Sequence, residues 1–236
     1  MIVEKETVVL EVKEGIAYLS INMPPANKMT PQFLVEIVEV IEENVLQTEA
    51  KGVIISGKGR HFSSGADVTK LLLFIHEQLQ YENGAITGYP KWYESCKAAF
   101  LSLNEMQIPV VSAIRGFCIG SGMELALSGH IRICEKGARL GLPESTFGIL
   151  PGVNGTLRMY EESGLRRGLE MVLRGELFTA EEAPAGVVDC VVGKKEALCY
   201  AEQFIQYVVE RKIVYSRKNA KKIFQEFISE SEAREK

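Results

Sequence analysis

Two glutamates define the chemistry open to this chain. Glu124 follows a Gly120-Ser121-Gly122 turn, and Glu144 follows Pro143 in a loop dense in turn residues. Two carboxyl groups around one cavity can divide into acid and base when their surroundings separate their pKa values. The pair says little alone, because the chain has 31 acidic residues and most glutamate pairs are solvated surface charges. The turns add information. Ser64-Gly65-Ala66-Asp67 and Gly120-Ser121-Gly122 each lie between an apolar run and a helical pattern. Such a turn leaves backbone N–H groups without intrahelical acceptors at the positive end of a helix dipole. Two of these donors converging on one oxygen would form an oxyanion hole, where losing one donor removes ~3 kcal/mol of transition-state stabilisation. The chemistry implied is proton transfer beside a carbonyl oxygen that becomes anionic. The plainer reading is a pair of ordinary strand-to-helix turns in which glycine meets a steric need.

The elements that must position these groups can be read in order. Thr7 to Lys13 and Ile16 to Asn22, separated by Glu14-Gly15, read as a hairpin. Met23-Pro24-Pro25-Ala26-Asn27 is a loop. Thr30 caps a helix with Pro31 at its first position, with Leu34, Ile37, Val38, Ile41 and Val45 on one face and Glu36, Glu39, Glu42 and Glu43 largely on the other. Gly52 to Ser56 reads as a buried strand. A helix is predicted from Ala66 or Asp67, then a mobile loop broken at Asn83-Gly84 and Gly88-Tyr89-Pro90, then a helix from Trp92 to Glu105. Pro109 to Ile114 is the strand that feeds the Gly-Ser-Gly turn, and a short helix runs through Glu124 to Ser128. Ile131 to Cys134 and Ala138 to Leu142 are short strands, 143–152 is a loop, and Val153 to Ser163 and Arg166 to Leu173 are helical. Thr179-Ala180-Glu181-Glu182 fits a capping box, and Val187 to Val192 is a late strand. The remainder is helical, and the last ~35 residues are polar enough to form an appended tail. Strands alternating with helices indicate an α/β fold.

Composition narrows the class. A chain of 236 residues with 46% apolar and 25% charged residues is one large domain, or a domain with a tail. A net charge of -4 gives no general attraction to nucleic acid or anionic membranes. The five cysteines include no C-x-x-C pair and read as buried reduced thiols of a cytosolic protein. The first residues lack a basic region followed by an apolar run, so no signal peptide is expected, and no apolar run approaches the ~20 residues that span a membrane. His61, His76 and His130 lack metal-site spacing, so no metal is expected. Ser121 is not in a G-x-S-x-G motif and no histidine marks it as a nucleophile, which argues against a serine hydrolase. The basic residues from Arg211 to Lys222 read as a solvated helix face.

Four motifs in order carry a resemblance: Asn22-Met23-Pro24-Pro25-Ala26-Asn27, Phe62-Ser63-Ser64-Gly65-Ala66-Asp67-Val68, Ala113 to Glu124, and Gly141-Leu142-Pro143-Glu144 to Leu150-Pro151-Gly152. With them the chain resembles the crotonase superfamily of enoyl-CoA hydratases and isomerases over most of residues 7 to 210. The resemblance implies a crotonase-like spiral of ββα units over residues 1–193 and C-terminal helices over 194–236. It implies an acyl-CoA thioester as substrate and no cofactor beyond the coenzyme A that the substrate carries. By motif position, Ala66 and Ser121 supply the oxyanion N–H groups, with serine where the family usually has glycine. Glu124 and Glu144 fall on the two glutamates of the hydratases, which implies reversible addition of water across an α,β double bond. Gly152 would help place the water, Ser64, Ala66, Asp67 and Val68 would meet the adenine end of CoA, and Pro25 and Ala26 would flank the CoA chain. A trimer or dimer of trimers in the cytoplasm is implied as well. The rivals are double-bond isomerisation, another crotonase-type reaction, or a non-catalytic binding member. The chain stops sooner than a typical hydratase and lacks a match to the family's closing segment. Trp92 and Tyr93 stand where the acyl pocket should be shaped.

Overall fold

The computed structural model describes residues 1–78, 80–82, 85–88 and 91–234. The N-terminal strands β1 (Ile2–Glu4), β2 (Val8–Lys13) and β3 (Ile16–Ile21) form an antiparallel meander turned at Glu14-Gly15, both at positive φ. Helix α1 (Pro31–Val40) begins where Thr30 Oγ1 accepts the Phe33 N–H, and continues into a wider π-helical turn over Ile41–Val45. Glu36 departs from the sequence pattern. It is buried on α1 and accepts from the N–H and hydroxyl of Thr7 at 2.8 and 2.6 Å, tying the helix to β2.

Strand β4 (Gly52–Gly57) precedes α2 (Val68–Gln78), a hairpin of β5 (Gln80–Glu82) and β6 (Ala85–Gly88), and α3 (Lys91–Glu105). The hairpin replaces the expected mobile loop. Asn83-Gly84 and Tyr89-Pro90, read as breaks, lie outside the described residues. Strands β5 and β6 are three and four residues long, too short for alternation to reveal them.

Next come β7 (Val110–Ile114), β8 (Phe117–Ile119) and α4 (Ser121–Ala126), then β9 (Ile131–Glu135), β10 (Arg139–Gly141) and a 3₁₀ turn over Pro143–Phe147. Each of these ββα units places its first strand in a large sheet and its second in a small one, which makes the chain a spiral. Helices α5 (Gly155–Ser163) and α6 (Leu165–Arg174), β11 (Phe178–Thr179), the Thr179 capping box, β12 (Cys190–Val192), α7 (Ala197–Glu210) and α8 (Arg217–Arg234) complete the chain. Among the described residues the large sheet runs β1-β2-β3-β4-β7-β9-β12 and is parallel from β3 onward; the small sheet runs β11-β10-β8.

The central strands are covered on both faces, which explains their unbroken apolar sequences. Val53 and Ile55 of β4 face a core with Phe33, Ile37, Ala99, Phe100 and Leu103 of α1 and α3. Ile54 faces the opposite way, into a second core with Phe204, Ile205 and Val208 of α7 and Ala220, Ile223, Phe224 and Phe227 of α8. The C-terminal helices therefore share a core with the sheet instead of hanging from it. Their polar look comes from the other face, since the apolar positions of α8 recur at helical spacing. Leu165, Leu169 and Leu173 leave an exposed apolar strip along α6. Among the described residues no helix is long and apolar enough to cross a membrane. Cys96, Cys118 and Cys134 are buried, but Cys190 is half-buried and Cys199 exposed, so burial does not extend to all five thiols.

A charged cluster joins the two ends of this architecture. Arg132 on β9 is fully buried and reaches Glu162 of α5 at 2.9 Å and Asp189 at 2.7 Å, while donating to the Val187 and Gly129 carbonyls. Lys221 of α8 bonds Glu162 and the Gly186 carbonyl. Burial pushes the Glu162 carboxyl up, but the charges of Arg132 and Lys221 overcome this and hold it below its ordinary range. Arg132→Met would leave two carboxylates facing a single lysine. It should destabilise the protein by about 3–5 kcal/mol, seen as a lower urea midpoint, and a change under about 1 kcal/mol would deny the cluster this role.

Candidate active site

The strands of the small sheet decide which loops meet. Cys118 in β8 is paired in parallel with Leu140 of β10 and, on its other side, with Ser63. Parallel neighbours end on the same side, so the chain leaves residues 63, 119 and 141 into one region. The Gly120 N–H donates to the Gly141 carbonyl at 2.9 Å, and the Ile119 N–H to the Ser63 carbonyl at 3.1 Å. Three loops, carrying Ala66, Ser121 with Glu124, and Glu144, begin side by side.

The backbone donors follow from this geometry. Met29 pairs in parallel with Ala66 through Met29 N–H to Gly65 O and Asp67 N–H to Met29 O. That pattern uses the groups flanking Ala66 and leaves its own N–H outside the bridge. Ser121 is the first residue of α4, where an N–H has no intrahelical acceptor. Serine is accommodated there because its neighbours carry the steric demands. Gly120 has φ 55° and ψ -127°, and a Cβ there would come within 3.1 Å of Glu144 Oε1. A Cβ on Gly122 would lie 2.6 Å from the Ser63 side chain.

Glu124 has almost no contact with solvent. Gly122, Met123, Leu125 and Ala126 around it are buried too, so α4 has no wet face on which a glutamate could lie. Its Oε1 accepts the Val153 N–H at 2.6 Å and the Gly155 N–H at 2.9 Å, at the start of α5. A Cβ on Gly155 would fall 2.8 Å from Glu124 Cγ and Oε1, so only glycine allows this approach. Burial pushes the Glu124 carboxyl up to about 7; the Glu144 charge adds to the rise and the two N–H donors oppose it. Glu144 sits in the first turn of the Pro143–Phe147 segment, with Oε2 buried and without a protein partner. Burial raises it to about 7 as well.

Both carboxyls open onto one cavity of about 590 Å³. Ser64, Ala66, Val68, Ser121 and Gly152 line it with them, and Leu34, Leu71, Trp92, Ile119, Phe147 and Leu150 make most of the wall apolar. Among the residues singled out by sequence, Pro25, Ala26 and Asp67 are not in the wall. Pro25 is exposed, and the Ala26 carbonyl accepts the Ser64 N–H at 2.9 Å, so that loop backs the cavity edge. The Asp67 carboxylate is held at 3.1 Å by Lys28, which with the Lys70 N–H keeps it below its ordinary pKa. Asn27, fully buried, pins both loops: its side-chain amide donates to the Lys58 and His61 carbonyls, and its backbone carbonyl accepts the Ser63 hydroxyl. Among the described residues no group of three or more His, Cys, Asp or Glu is arranged to hold a metal ion.

Sequence reasoning missed the donors from Val153 and Gly155. The available signal was Asn154-Gly155, a pair suited to a left-handed residue and a close approach, and Asn154 does have φ 68°.

Comparisons with known proteins fit this arrangement. A sequence model described as enoyl-CoA hydratase/isomerase matches residues 11–235. A Bacillus subtilis (strain 168) protein named probable enoyl-CoA hydratase is 34% identical over 182 residues, covering 74% of this chain and 64% of that protein. The fatty acid oxidation complex subunit alpha of Shewanella frigidimarina is 37% identical over 185 residues, 76% of this chain. The chain spans only 25% of that relative's length. A Thermobifida fusca YX structure solved in complex with CoA superposes with a TM-score of 0.71 at 26% identity, covering 91% of this chain and 81% of that one. An enoyl-CoA hydratase structure from Bacillus anthracis, 24% identical with a TM-score of 0.72 over 86% of this chain and 77% of its own, shares the fold. With a model match that runs almost from end to end over the same strands and loops that build the cavity, the chain belongs to the enoyl-CoA hydratase/isomerase family.

Proposed function

We propose that this protein is an enoyl-CoA hydratase, a lyase that reversibly adds water to an α,β-unsaturated acyl-CoA thioester. The observation that carries the reading is the pair of raised carboxyls, Glu124 and Glu144, on one apolar cavity beside Ala66 and Ser121. Moving a double bond along a chain needs one carboxyl to shuttle a proton; adding water needs a base for the water and an acid for carbon. Two carboxyls favour the second reaction.

In the hydration direction, Glu124 takes a proton from water as the water oxygen bonds to the β-carbon. Electrons pass to the thioester oxygen, and the N–H groups of Ala66 and Ser121 stabilise the resulting enolate. Glu144 then delivers its proton to the α-carbon. Gly152 N–H helps place the water. The pair carries one proton before and after, as two coupled groups near neutrality would. The CoA chain runs past Pro25 and Ala26, and its adenine end meets Ser64, Ala66, Asp67 and Val68. The Thermobifida relative solved with CoA supports this choice of ligand. No metal or separate cofactor has a part in the scheme.

Glu144→Gln should lower kcat for hydration of crotonyl-CoA by about 10²–10⁴-fold while CoA-ester binding persists. Wild-type kcat/KM should fall on both sides of neutral pH. Hydration by the variant at the wild-type rate would remove Glu144 from the mechanism. A wild type that shifts a β,γ double bond without hydrating any of a panel of enoyl-CoAs would establish the isomerase instead.

The same carboxyls affect stability. Each has a folded pKa raised from 4.5 to about 7, so the folded state resists ionisation that the unfolded chain accepts. Stability from this source is intact at low pH, declines as pH rises between those values, and stays reduced above them. Glu144→Gln should therefore unfold at higher urea than wild type at about pH 8, with the gap closing toward about pH 5. Equal midpoints at both pH values would contradict this.

The exposed strip of Leu165, Leu169 and Leu173 supports a homo-oligomer, read as a trimer or dimer of trimers. Light scattering should give a mass of three or six chains, and Leu169→Asp with Leu173→Asp should lower it. A monomeric wild type would reject the assembly.

A further inference from the structure

The proposed mechanism leaves one polar group in the cavity wall without a task. Tyr93 stands in the first turn of α3 and lines the same cavity as Glu124, edge-on to Trp92 at 5.9 Å between ring centroids. Its hydroxyl donates to the Gly152 carbonyl at 2.5 Å. That carbonyl belongs to the same peptide unit as the Val153 N–H, which donates to Glu124 Oε1 at 2.6 Å. The groups therefore form one series: tyrosine hydroxyl, peptide 152–153, carboxylate. Each hydrogen bond in such a series polarises the next.

The need for this contact lies in Gly152. A glycine leaves the adjoining peptide plane free to rotate, and rotation would turn the Val153 N–H away from Glu124. Tyr93 holds the oxygen end of that plane. A second bond joins the same segments, from the Asn154 amide to the Lys97 carbonyl of α3 at 3.2 Å. Lys97 in turn places its ammonium 5.5 Å from the Tyr93 ring centroid.

We infer that Tyr93 is a positioning residue for Glu124, fixing the 152–153 peptide so that Oε1 is held by protein N–H groups and the other carboxylate oxygen faces the substrate. The inference rests on the hydratase reading for its effect on turnover, but its effect on Glu124 itself does not. Among the described residues the other titratable groups that act on Glu124 are Glu144, from the segment after β10, and the Cys96 thiol of α3. Tyr93→Phe leaves both in place and keeps the ring that fills the wall.

The test compares wild type, Tyr93→Phe and Glu124→Gln. The Glu124 carboxyl is followed by carbon NMR of selectively labelled glutamate, with Glu124→Gln assigning the signal. In Tyr93→Phe a weakened N–H donor should raise the Glu124 titration by roughly half a pH unit or more. For crotonyl-CoA, kcat should fall about tenfold or more with KM within about twofold, and the acid limb of the kcat profile should move to higher pH in step. An unchanged Glu124 titration overturns the inference, whatever the rates. A shifted titration in Tyr93→Phe, together with a wild type that does not hydrate any enoyl-CoA, supports the positioning role and rejects only the hydratase reading.

Discussion

A carboxylate almost sealed from water must be surrounded by donors, and the site is built around meeting that demand at Glu124. Its donors come from the start of α5, so α5 has to approach α4 closely, and Gly155 is the residue that permits it. The far end of α5 carries Glu162, which is bound to Arg132 beneath the sheet and to Lys221 on α8. One helix thus touches the proposed chemistry at its first residue and the C-terminal packing near its last. Stability in the second core and the orientation of the carboxylate are mechanically continuous, although the two lie on opposite sides of the large sheet.

The donors around Glu124 are incomplete compensation for burial. Two N–H groups lower its pKa, yet burial and Glu144 still leave it near neutrality. Full solvation of both groups would return them toward the ordinary carboxylate range and leave no acid at neutral pH. A fully apolar wall with no donors would leave no base. The intermediate environment, in which a mostly apolar cavity meets a few oriented N–H groups, holds both carboxyls well above the ordinary carboxylate range. This is an energetic sacrifice in the folded state, of the kind that concentrates at working sites.

Much of this was legible in the sequence because it is local. Thr30-Pro31 is a helix start by side chain and ring geometry, Val53-Ile54-Ile55 is a strand wet on neither face, and the Gly-Ser-Gly turn announces exposed N–H groups before a carboxylate. Family motifs then joined Ala66, Ser121, Glu124 and Glu144 into one site. What escaped is non-local. Phe117-Cys118-Ile119 is too short to read as a strand, and only pairing with Ser63 and Leu140 makes it one. The contacts of Glu124 with Val153 and Gly155, and of Tyr93 with Gly152, join residues dozens of positions apart with no periodic pattern to reveal them. The apolar stripe of α8 was present, but its surrounding charges disguised it.

The central place of β8 has a consequence for how such a chain can change over generations. Three loops take their bearings from Cys118, so the strand behaves as a common ruler. One residue inserted between Gly116 and Gly120 would swap the inward and outward sides of that ruler and misalign Ala66, Ser121 and Glu144 in a single step. Lengthening the chain between β5 and β6, which share no sheet with it, would leave the alignment intact. Changes of length should therefore be purged from the three-residue strand that alignment depends on, and be tolerated where the small sheet is not involved.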